Sequence, residues 1–121
     1  MQQAIETYWD NRAEISANDD LAKSQVQEVL DGIESGKYRV CEKTESGWQV
    51  NQWVKKAVLL SFKFNMNKLM DGHACTYDKV PLKFQDWSEQ QFADSGVRAV
   101  PGSVVRSYSY IAPGVVLMPS F

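Results

Sequence analysis

The first 35 residues carry apolar and polar positions at the period of an α-helix, interrupted once. Residues 1–15 form the first periodic stretch, with an apolar stripe of Ile5, Tyr8, Trp9 and Ile15. Residues 20–35 form the second, with a stripe of Leu21, Val26, Val29, Leu30 and Ile33. The polar break between them ends in the good helix caps Asn18, Asp19 and Asp20, and Gly36 follows as a stop signal. The pattern predicts an antiparallel helical hairpin.

The period then changes to two, which is typical of β-strands. Residues 38–43 alternate and residues 47–50 can return beside them, because the intervening Thr-Glu-Ser-Gly segment supplies a hairpin turn. Helical spacing resumes from Gln52 to about Leu60, and the alternation of Ser61–Phe64 then predicts a short strand.

Shorter signals follow in the next thirty or so positions. Residues 65–72 are rich in Asn, Asp and Gly and are predicted to be a loop, and residues 78–84 are predicted to be extended around Pro81. Ser88 is predicted to cap a short helix, residues 89–93, that ends before Gly96.

A six-residue spacing runs through the last part of the chain. Two sets of three residues follow it: Val105, Ile111 and Leu117, and Val104, Tyr110 and Val116. An aliphatic residue at every sixth position is typical of a hexapeptide β-helix, whose coils bury their core by stacking on one another. Two short strands separated by the Pro113-Gly114 turn are the alternative interpretation.

Length and charge exclude several classes of protein. The 121 residues suit one domain of ordinary size, and 13 basic against 15 acidic residues give a net charge of −2. The basic residues are dispersed, so no nucleic-acid partner is expected. The longest apolar run, Ala57–Leu60, is too short for a membrane span, and the amino terminus has no secretory signal pattern. We therefore expect a cytoplasmic protein.

The cysteines and the histidine give no pattern for redox or metal chemistry. Cys41 and Cys75 are 34 residues apart, outside any Cys-x-x-Cys pair, and are interpreted as buried reduced thiols. His73, the single histidine, could act as a general base, but its Asp-Gly-His-Ala-Cys setting favours a turn or surface position. No metal site is predicted.

Several blocks are more specific than any period. They read N-Q-W-V-K-K-A-V-L-L-S-F-K-F (51–64), Y-D-K-V-P-L-K-F (77–84), G-V-R-A-V-P (96–101) and V-V-R-S-Y-S-Y-I-A-P-G-V-V-L-M-P-S-F (104–121). Together with the opening M-Q-Q and R-A-E-I at residues 12–15, they resemble, in order and spacing, the amino-terminal part of tetrahydrodipicolinate N-succinyltransferases, enzymes of lysine and diaminopimelate biosynthesis. The resemblance extends from end to end of the chain.

The resemblance implies a fold and an assembly. The family joins an amino-terminal α+β domain to a left-handed parallel β-helix, and three subunits form a trimer. By this likeness the chain is expected to be α+β, with residues 1–101 as the amino-terminal domain and residues 102–121 as the first coil. The boundary is expected near Pro101-Gly102.

The resemblance also implies a substrate-binding residue. In the family, the arginine of the G-x-R-x-V-P block contacts the dicarboxylate acceptor, and that arginine is Arg98 here. A guanidinium can hold a carboxylate by two parallel hydrogen bonds, although a solvated or ion-paired arginine is the alternative. The family uses succinyl-CoA as co-substrate and needs no covalently bound cofactor. Its catalytic residues lie farther along the β-helix, so none is assigned in this chain.

Other candidates have structural interpretations. Lys55 and Lys56 could face CoA phosphates, but a solvated helix face is favoured. Asp78 and Lys79, next to Pro81, are expected to fix a loop. The four tryptophans are expected in the core: Trp9, Trp48, Trp53 and Trp87.

Two functions from different classes remain open. The first is the substrate-side domain of the succinyltransferase, inactive by itself. The second is a free-standing interaction module that pairs with a separate β-helix subunit. The last coil supports the second hypothesis, because exposed strand edges and the aromatic residues Tyr108, Tyr110 and Phe121 would favour association.

Overall fold

Helices α1 (Gln2–Asp10), α2 (Asp20–Glu34) and α3 (Gln52–Phe64) build the first part of the protein. The structure is a computed structural model that describes residues 1–70 and 76–121. It divides into two compact units, Met1–Met66 and Asn67–Phe121. The domain boundary near Pro101-Gly102 stays a prediction.

The core of the first unit lies where α3 packs against both α1 and α2. Its buried apolar side chains come from the stripes of the three helices: Ile5, Ala22, Val26, Val29, Leu30, Ile33, Val54, Ala57 and Leu60. Asp19 caps α2 by accepting a hydrogen bond from the backbone N–H of Ala22 at 2.9 Å, and Gly36 follows the helix with φ 78°. The two predicted helices and the capping of the second are thus confirmed, but Leu21, predicted to belong to the apolar stripe of α2, is exposed.

Two helix ends differ from the prediction. Helix α1 ends at Asp10 rather than near Ile15, because the Asn11 side chain donates to the Thr7 carbonyl and residues 11–14 form turns. Helix α3 continues to Phe64, so the strand predicted at Ser61–Phe64 is wrong. Ser61 is buried beside Leu60, and its hydroxyl donates to the Val58 carbonyl at 2.7 Å. Four alternating residues also fit one edge of a helical stripe, and core packing selects the helix.

The predicted hairpin is confirmed with a later start. Strands β1 (Cys41–Thr44) and β2 (Gly47–Val50) pair antiparallel, with Thr44 opposite Gly47. Tyr38 was predicted to open the first strand. Its N–H instead donates to the Gly32 carbonyl at 2.9 Å, and its ring meets Trp53 edge-on at 5.1 Å between centroids.

The second unit contains strands β3 (Lys68–Met70), β4 (Thr76–Asp78), β5 (Arg98–Ala99) and β6 (Val116–Leu117), with helix α4 (Glu89–Ser95). Strands β3 and β4 pair antiparallel, so the loop predicted over residues 65–72 is wrong at Lys68–Met70. The extended segment predicted at 78–84 is shorter: β4 ends at Asp78, and Leu82 forms an isolated bridge with Arg106.

Both ends of helix α4 are fixed by capping residues. Ser88 and Gln91 form a reciprocal capping box, and Gly96 ends the helix in the left-handed region with φ 66°. The cap at Ser88 and the end before Gly96 were predicted from the sequence, whereas the Gln91 half of the box was not, and the helix extends two residues beyond the predicted Ala93. Phe92 of this helix packs with Phe84 and Trp87, whose ring centroids lie 4.7–5.1 Å from one another.

A parallel pairing closes the carboxy-terminal segment on itself. Arg98 lies opposite Val116 and Ala99 opposite Leu117, so the paired positions are 18 residues apart. Beyond the strands, Gly114 N–H donates to the Gly96 carbonyl at 2.9 Å. The described residues therefore form a mixed α+β structure, and the segment from β5 to β6 returns beside its own start.

Candidate functional site

Arg98 is the first residue of β5, and the backbone around it is fixed. Its N–H donates to the Val115 carbonyl at 3.0 Å, and two residues later the N–H of Val100 donates to the Leu117 carbonyl at 2.9 Å. Successive side chains of a strand point to opposite faces, and Arg98 is exposed whereas Val97 is buried. The guanidinium therefore projects from a held backbone into solvent.

The charge of Arg98 is uncompensated within the described part of the chain. Residues 1–70 and 76–121 place no carboxylate within ion-pair distance of its guanidinium. An exposed guanidinium on a rigid strand can accept a carboxylate by the two parallel hydrogen bonds of its planar fork. The role of Arg98 in substrate binding stays a prediction, and the geometry is compatible with it.

The other arginine of this segment, Arg106, is already paired. Its Nη2 lies 2.8 Å from Oδ2 of Asp78, with both side chains partly exposed. The backbone N–H of Lys79 donates to the other oxygen of Asp78 at 2.7 Å. The Lys79 N–H is the main cause that lowers the pKa of the Asp78 carboxyl below its ordinary value of 3.8, and Arg106 lowers it further against a partial desolvation. Asp78 thus fixes its loop, as the sequence suggested, and also binds a distant arginine.

The lysines of α3 have different surroundings. Lys56 forms an ion pair with Glu6 of α1, with both side chains about a quarter exposed. This pair joins two helices of the first unit and gives Lys56 a structural partner. Lys55 is exposed to solvent. Neither observation points to a phosphate ligand.

Some core predictions are wrong. Cys41 is exposed rather than buried, because it opens β1 on a two-stranded hairpin whose surface is largely uncovered. Trp48 on the partner strand is 71% exposed for the same reason. Trp9, Trp53 and Trp87 are partly buried. His73 and Cys75 lie outside the described residues.

In the described part of the chain, no metal-like cluster competes with Arg98 as a site, and neither does the depression along α2. Within residues 1–70 and 76–121, no three His, Cys, Asp or Glu side chains group as metal ligands would. A depression of about 650 Å³ follows the polar face of α2 and is lined by Asp20, Lys23, Ser24, Gln27, Glu28 and Asp31. It is open, is formed by one helix and mixes both signs of charge, so it lacks the enclosure of a ligand site.

The pairing of Asp78 with Arg106 is the feature that sequence reasoning missed. The two residues lie in separate blocks, Y-D-K-V-P and V-V-R, each recognisable by itself. Only the backbone pairing of residues 81–83 with residues 105–107 brings them together. No periodicity in the sequence signals such a contact.

Comparison with known proteins identifies the family of the chain. The family model described as "Tetrahydrodipicolinate N-succinyltransferase N-terminal" matches residues 1–64. Three curated relatives, all called 2,3,4,5-tetrahydropyridine-2,6-dicarboxylate N-succinyltransferase, match the whole chain. They come from Methylorubrum populi (51% identical), Actinobacillus pleuropneumoniae (47%) and a Psychrobacter species (50%). The chain spans 45–46% of the length of these relatives.

The chain belongs to the tetrahydrodipicolinate N-succinyltransferase amino-terminal family. The resemblance drawn from the sequence blocks is therefore confirmed. Within the part of the chain that the structure describes, each helix is too short or too polar to cross a bilayer.

Proposed function

We propose that this chain is the substrate-side, amino-terminal part of an N-succinyltransferase. The complete enzyme would transfer a succinyl group from succinyl-CoA to the dicarboxylate named in its relatives, 2,3,4,5-tetrahydropyridine-2,6-dicarboxylate. The family match over residues 1–64 and the similarity of the relatives over the whole chain support this proposal.

The observation that carries the proposal is the exposed guanidinium of Arg98 on strand β5, which has no carboxylate partner among residues 1–70 and 76–121. A doubly anionic acceptor needs cationic groups that bind it in one orientation. Held by the hydrogen bond from its N–H to Val115, Arg98 can present two parallel donors to one carboxylate. Orientation of the acceptor relative to the acyl donor is a major source of rate in group transfer.

We further propose that residues 102–121 begin a left-handed parallel β-helix. The six-residue spacing supports this, and so does the 18-residue separation of paired positions in β5 and β6, which equals three hexapeptides. The stacking of further coils would cover Val105, Ile111 and Leu117, which are partly exposed.

The remaining properties of the enzyme follow the family. We propose a cytoplasmic homotrimer in lysine and diaminopimelate biosynthesis, with succinyl-CoA as co-substrate and without a covalently bound cofactor. This chain would supply acceptor binding and no catalytic residue. The alternative, a free-standing interaction module, gains no support from the relatives, whose printed names all describe the transferase.

Steady-state kinetics of the full-length transferase to which this sequence is proposed to belong would test the proposal. Arg98→Ala removes a charge-assisted contact of about 1.5–3 kcal/mol, so the KM for the dicarboxylate should rise roughly ten- to a hundredfold. The KM for succinyl-CoA should stay near its original value. Arg98→Lys keeps the charge without the planar fork, so its KM for the dicarboxylate should lie between those of the wild type and Arg98→Ala.

The matched control is Arg12→Ala, because Arg12 is an exposed arginine that contacts Trp9 on α1. Its removal should leave both KM values unchanged. An unaltered KM for the dicarboxylate in Arg98→Ala would refute the assignment of Arg98.

A further inference from the structure

The carboxylate of Asp78 joins two segments that are distant in the sequence. One oxygen accepts the N–H of Lys79 at 2.7 Å and fixes the turn that follows β4. The other lies 2.8 Å from Nη2 of Arg106, in the segment between β5 and β6. Val80, next in the turn, is 3% exposed, so the turn is anchored on its other side by burial. The backbone of its own turn therefore fixes the carboxylate of Asp78 independently of Arg106.

Backbone pairing continues from this contact. Lys83 N–H donates to the Val105 carbonyl at 2.8 Å, and Ser107 N–H donates to the Pro81 carbonyl at 2.9 Å. These two bonds flank the bridge between Leu82 and Arg106. We call the ion pair together with this short antiparallel pairing the clip.

The clip holds the middle of a loop whose two ends carry the candidate site. Strands β5 and β6 close the loop by pairing Arg98 with Val116, and Arg106 lies between them. A loop fixed only at its ends keeps conformational freedom, which ligand binding must remove. A loop also held at its middle has lost that freedom before the ligand arrives.

The two arginines differ in their charged surroundings. Arg106 has a carboxylate partner in Asp78, whereas Arg98 has none among the described residues. An incoming carboxylate competes with Asp78 for Arg106, whereas no carboxylate of residues 1–70 and 76–121 competes with it for Arg98. The arrangement leaves Arg98 as the acceptor-binding group and gives Arg106 a structural task.

We propose that Asp78 and Arg106 are positioning residues that preorganise Arg98 for carboxylate binding. This inference rests on the proposed function, because it takes Arg98 as the group that binds the acceptor. It adds two residues to which no ligand contact is assigned and predicts that they change affinity only through Arg98.

A double-mutant cycle on the 121-residue chain tests this. The ¹⁵N-labelled protein is titrated with pimelate, the unsubstituted seven-carbon dicarboxylate, and the Arg98 amide and side-chain N–H signals are followed. Asp78→Asn should weaken the binding seen at Arg98 roughly three- to tenfold. In an Arg98→Ala background, the same change should leave the residual pimelate affinity unaltered. Asp78→Glu keeps the carboxylate and should recover part of the loss.

Asp86→Asn is the matched control, since Asp86 is an exposed aspartate of the same unit and its change removes the same charge. It should leave the affinity at Arg98 unchanged. Hydrogen exchange of the Arg98 and Lys83 amides gives a second readout. Both should exchange faster in Asp78→Asn and at the original rate in Asp86→Asn.

The outcomes separate this inference from the proposed function. If pimelate shifts the Arg98 signals with equal affinity in wild type and Asp78→Asn, positioning by the clip is refuted and acceptor binding by Arg98 stands. If pimelate leaves Arg98 unperturbed in the wild type, the positioning inference fails, while the proposed function is decided by the KM of Arg98→Ala in the full-length transferase. Should Asp78→Asn lose its dispersed amide spectrum, Arg106→Lys replaces it, and an unweakened affinity in that variant overturns the proposal.

Discussion

The two units of this protein are stabilised in different ways. In Met1–Met66, nine apolar side chains are buried, and all come from three helices. In the described part of Asn67–Phe121, three apolar side chains are buried: Met70, Val80 and Val97. That part is held instead by short strand pairs, a cluster of three aromatic rings and the clip of Asp78 and Arg106. The first unit depends on side-chain packing, and the second depends more on backbone and polar contacts.

This difference decides what a substitution should do in each unit. Loss of buried volume should be the costly change in the first unit, where interior side chains are close-packed. Loss of single hydrogen bonds or charges should be the informative change in the second, where each contributes about 1 kcal/mol or less.

Leu30→Ala should give the largest loss of stability. Leu30 is 1% exposed in the core of the first unit, so truncation should lower the free energy of unfolding by about 2–5 kcal/mol. Leu21, on the same helix, is 66% exposed, and Leu21→Ala should change the free energy of unfolding by less than about 0.5 kcal/mol. Urea unfolding followed by circular dichroism measures both. Equal losses in the two variants would contradict the position of the core.

Gly32→Ala should destabilise the first unit through overpacking. A Cβ at residue 32 would lie 2.2 Å from Cδ2 of Tyr38, whose backbone N–H is bound to the Gly32 carbonyl. The expected loss is about 1–3 kcal/mol, although alanine favours a helix by about 1 kcal/mol over glycine. Thermal unfolding measures it.

A double variant, Gly32→Ala with Tyr38→Ala, separates the clash from the helix propensity. Gly32→Ala should cost less stability in the Tyr38→Ala background than in the wild type, because the tyrosine ring is then absent. An equal cost in both backgrounds would show that Tyr38 is not the obstacle.

Ser88→Ala should loosen one helix of the second unit. The Ser88 side chain accepts from the N–H of Gln91 and closes the capping box of α4. Its loss should cost about 1 kcal/mol, seen as faster hydrogen exchange of the α4 amides. Ser88→Asp keeps a capping oxygen and should preserve the slow exchange. Unchanged exchange in Ser88→Ala would show that the box contributes nothing to α4.

The smallest effect should be a pH dependence from Asp78. Its pKa in the folded protein is below the ordinary value of 3.8, chiefly because of the Lys79 N–H. The ionised form therefore stabilises the folded state above about pH 5, and this stabilisation is lost as the pH falls through the folded-state pKa. The stability difference between wild type and Asp78→Asn should shrink on acidification. A difference that stays constant down to about pH 2 would contradict the prediction.

The same contrast explains which features the sequence could predict. The spacing of Val26 and Leu30 within one helix predicts that they are buried. Ser88 predicts a helix start because the cap and the residues it binds lie within four positions of the sequence. Ser61–Phe64 misled because so short an alternation fits both a strand and a helix edge, and only the core distinguishes them. Cys41 is exposed because no other element of the described residues packs over its hairpin, and amino-acid composition does not predict such packing.

Only part of the candidate site could be predicted from the sequence. Arg98 was found through the family resemblance, because its strand is too short to give a periodic signal. The contact of Asp78 with Arg106 depends on strand pairing between separate blocks. Tyr108 was also unforeseen: its φ of 71° lies in the left-handed region, where glycine or asparagine would have been expected.

The 18-residue pairing of β5 with β6 makes the number of residues between the two strands a fixed quantity of the fold. One residue inserted between Ala99 and Val116 would shift the register by one and turn each following side chain to the opposite face. Most substitutions in this segment alter one contact, whereas a single insertion displaces all of them. Apart from Arg106 and the apolar positions of the six-residue spacing, relatives should therefore vary in the identity of these residues, but the number of residues should differ only by whole coils.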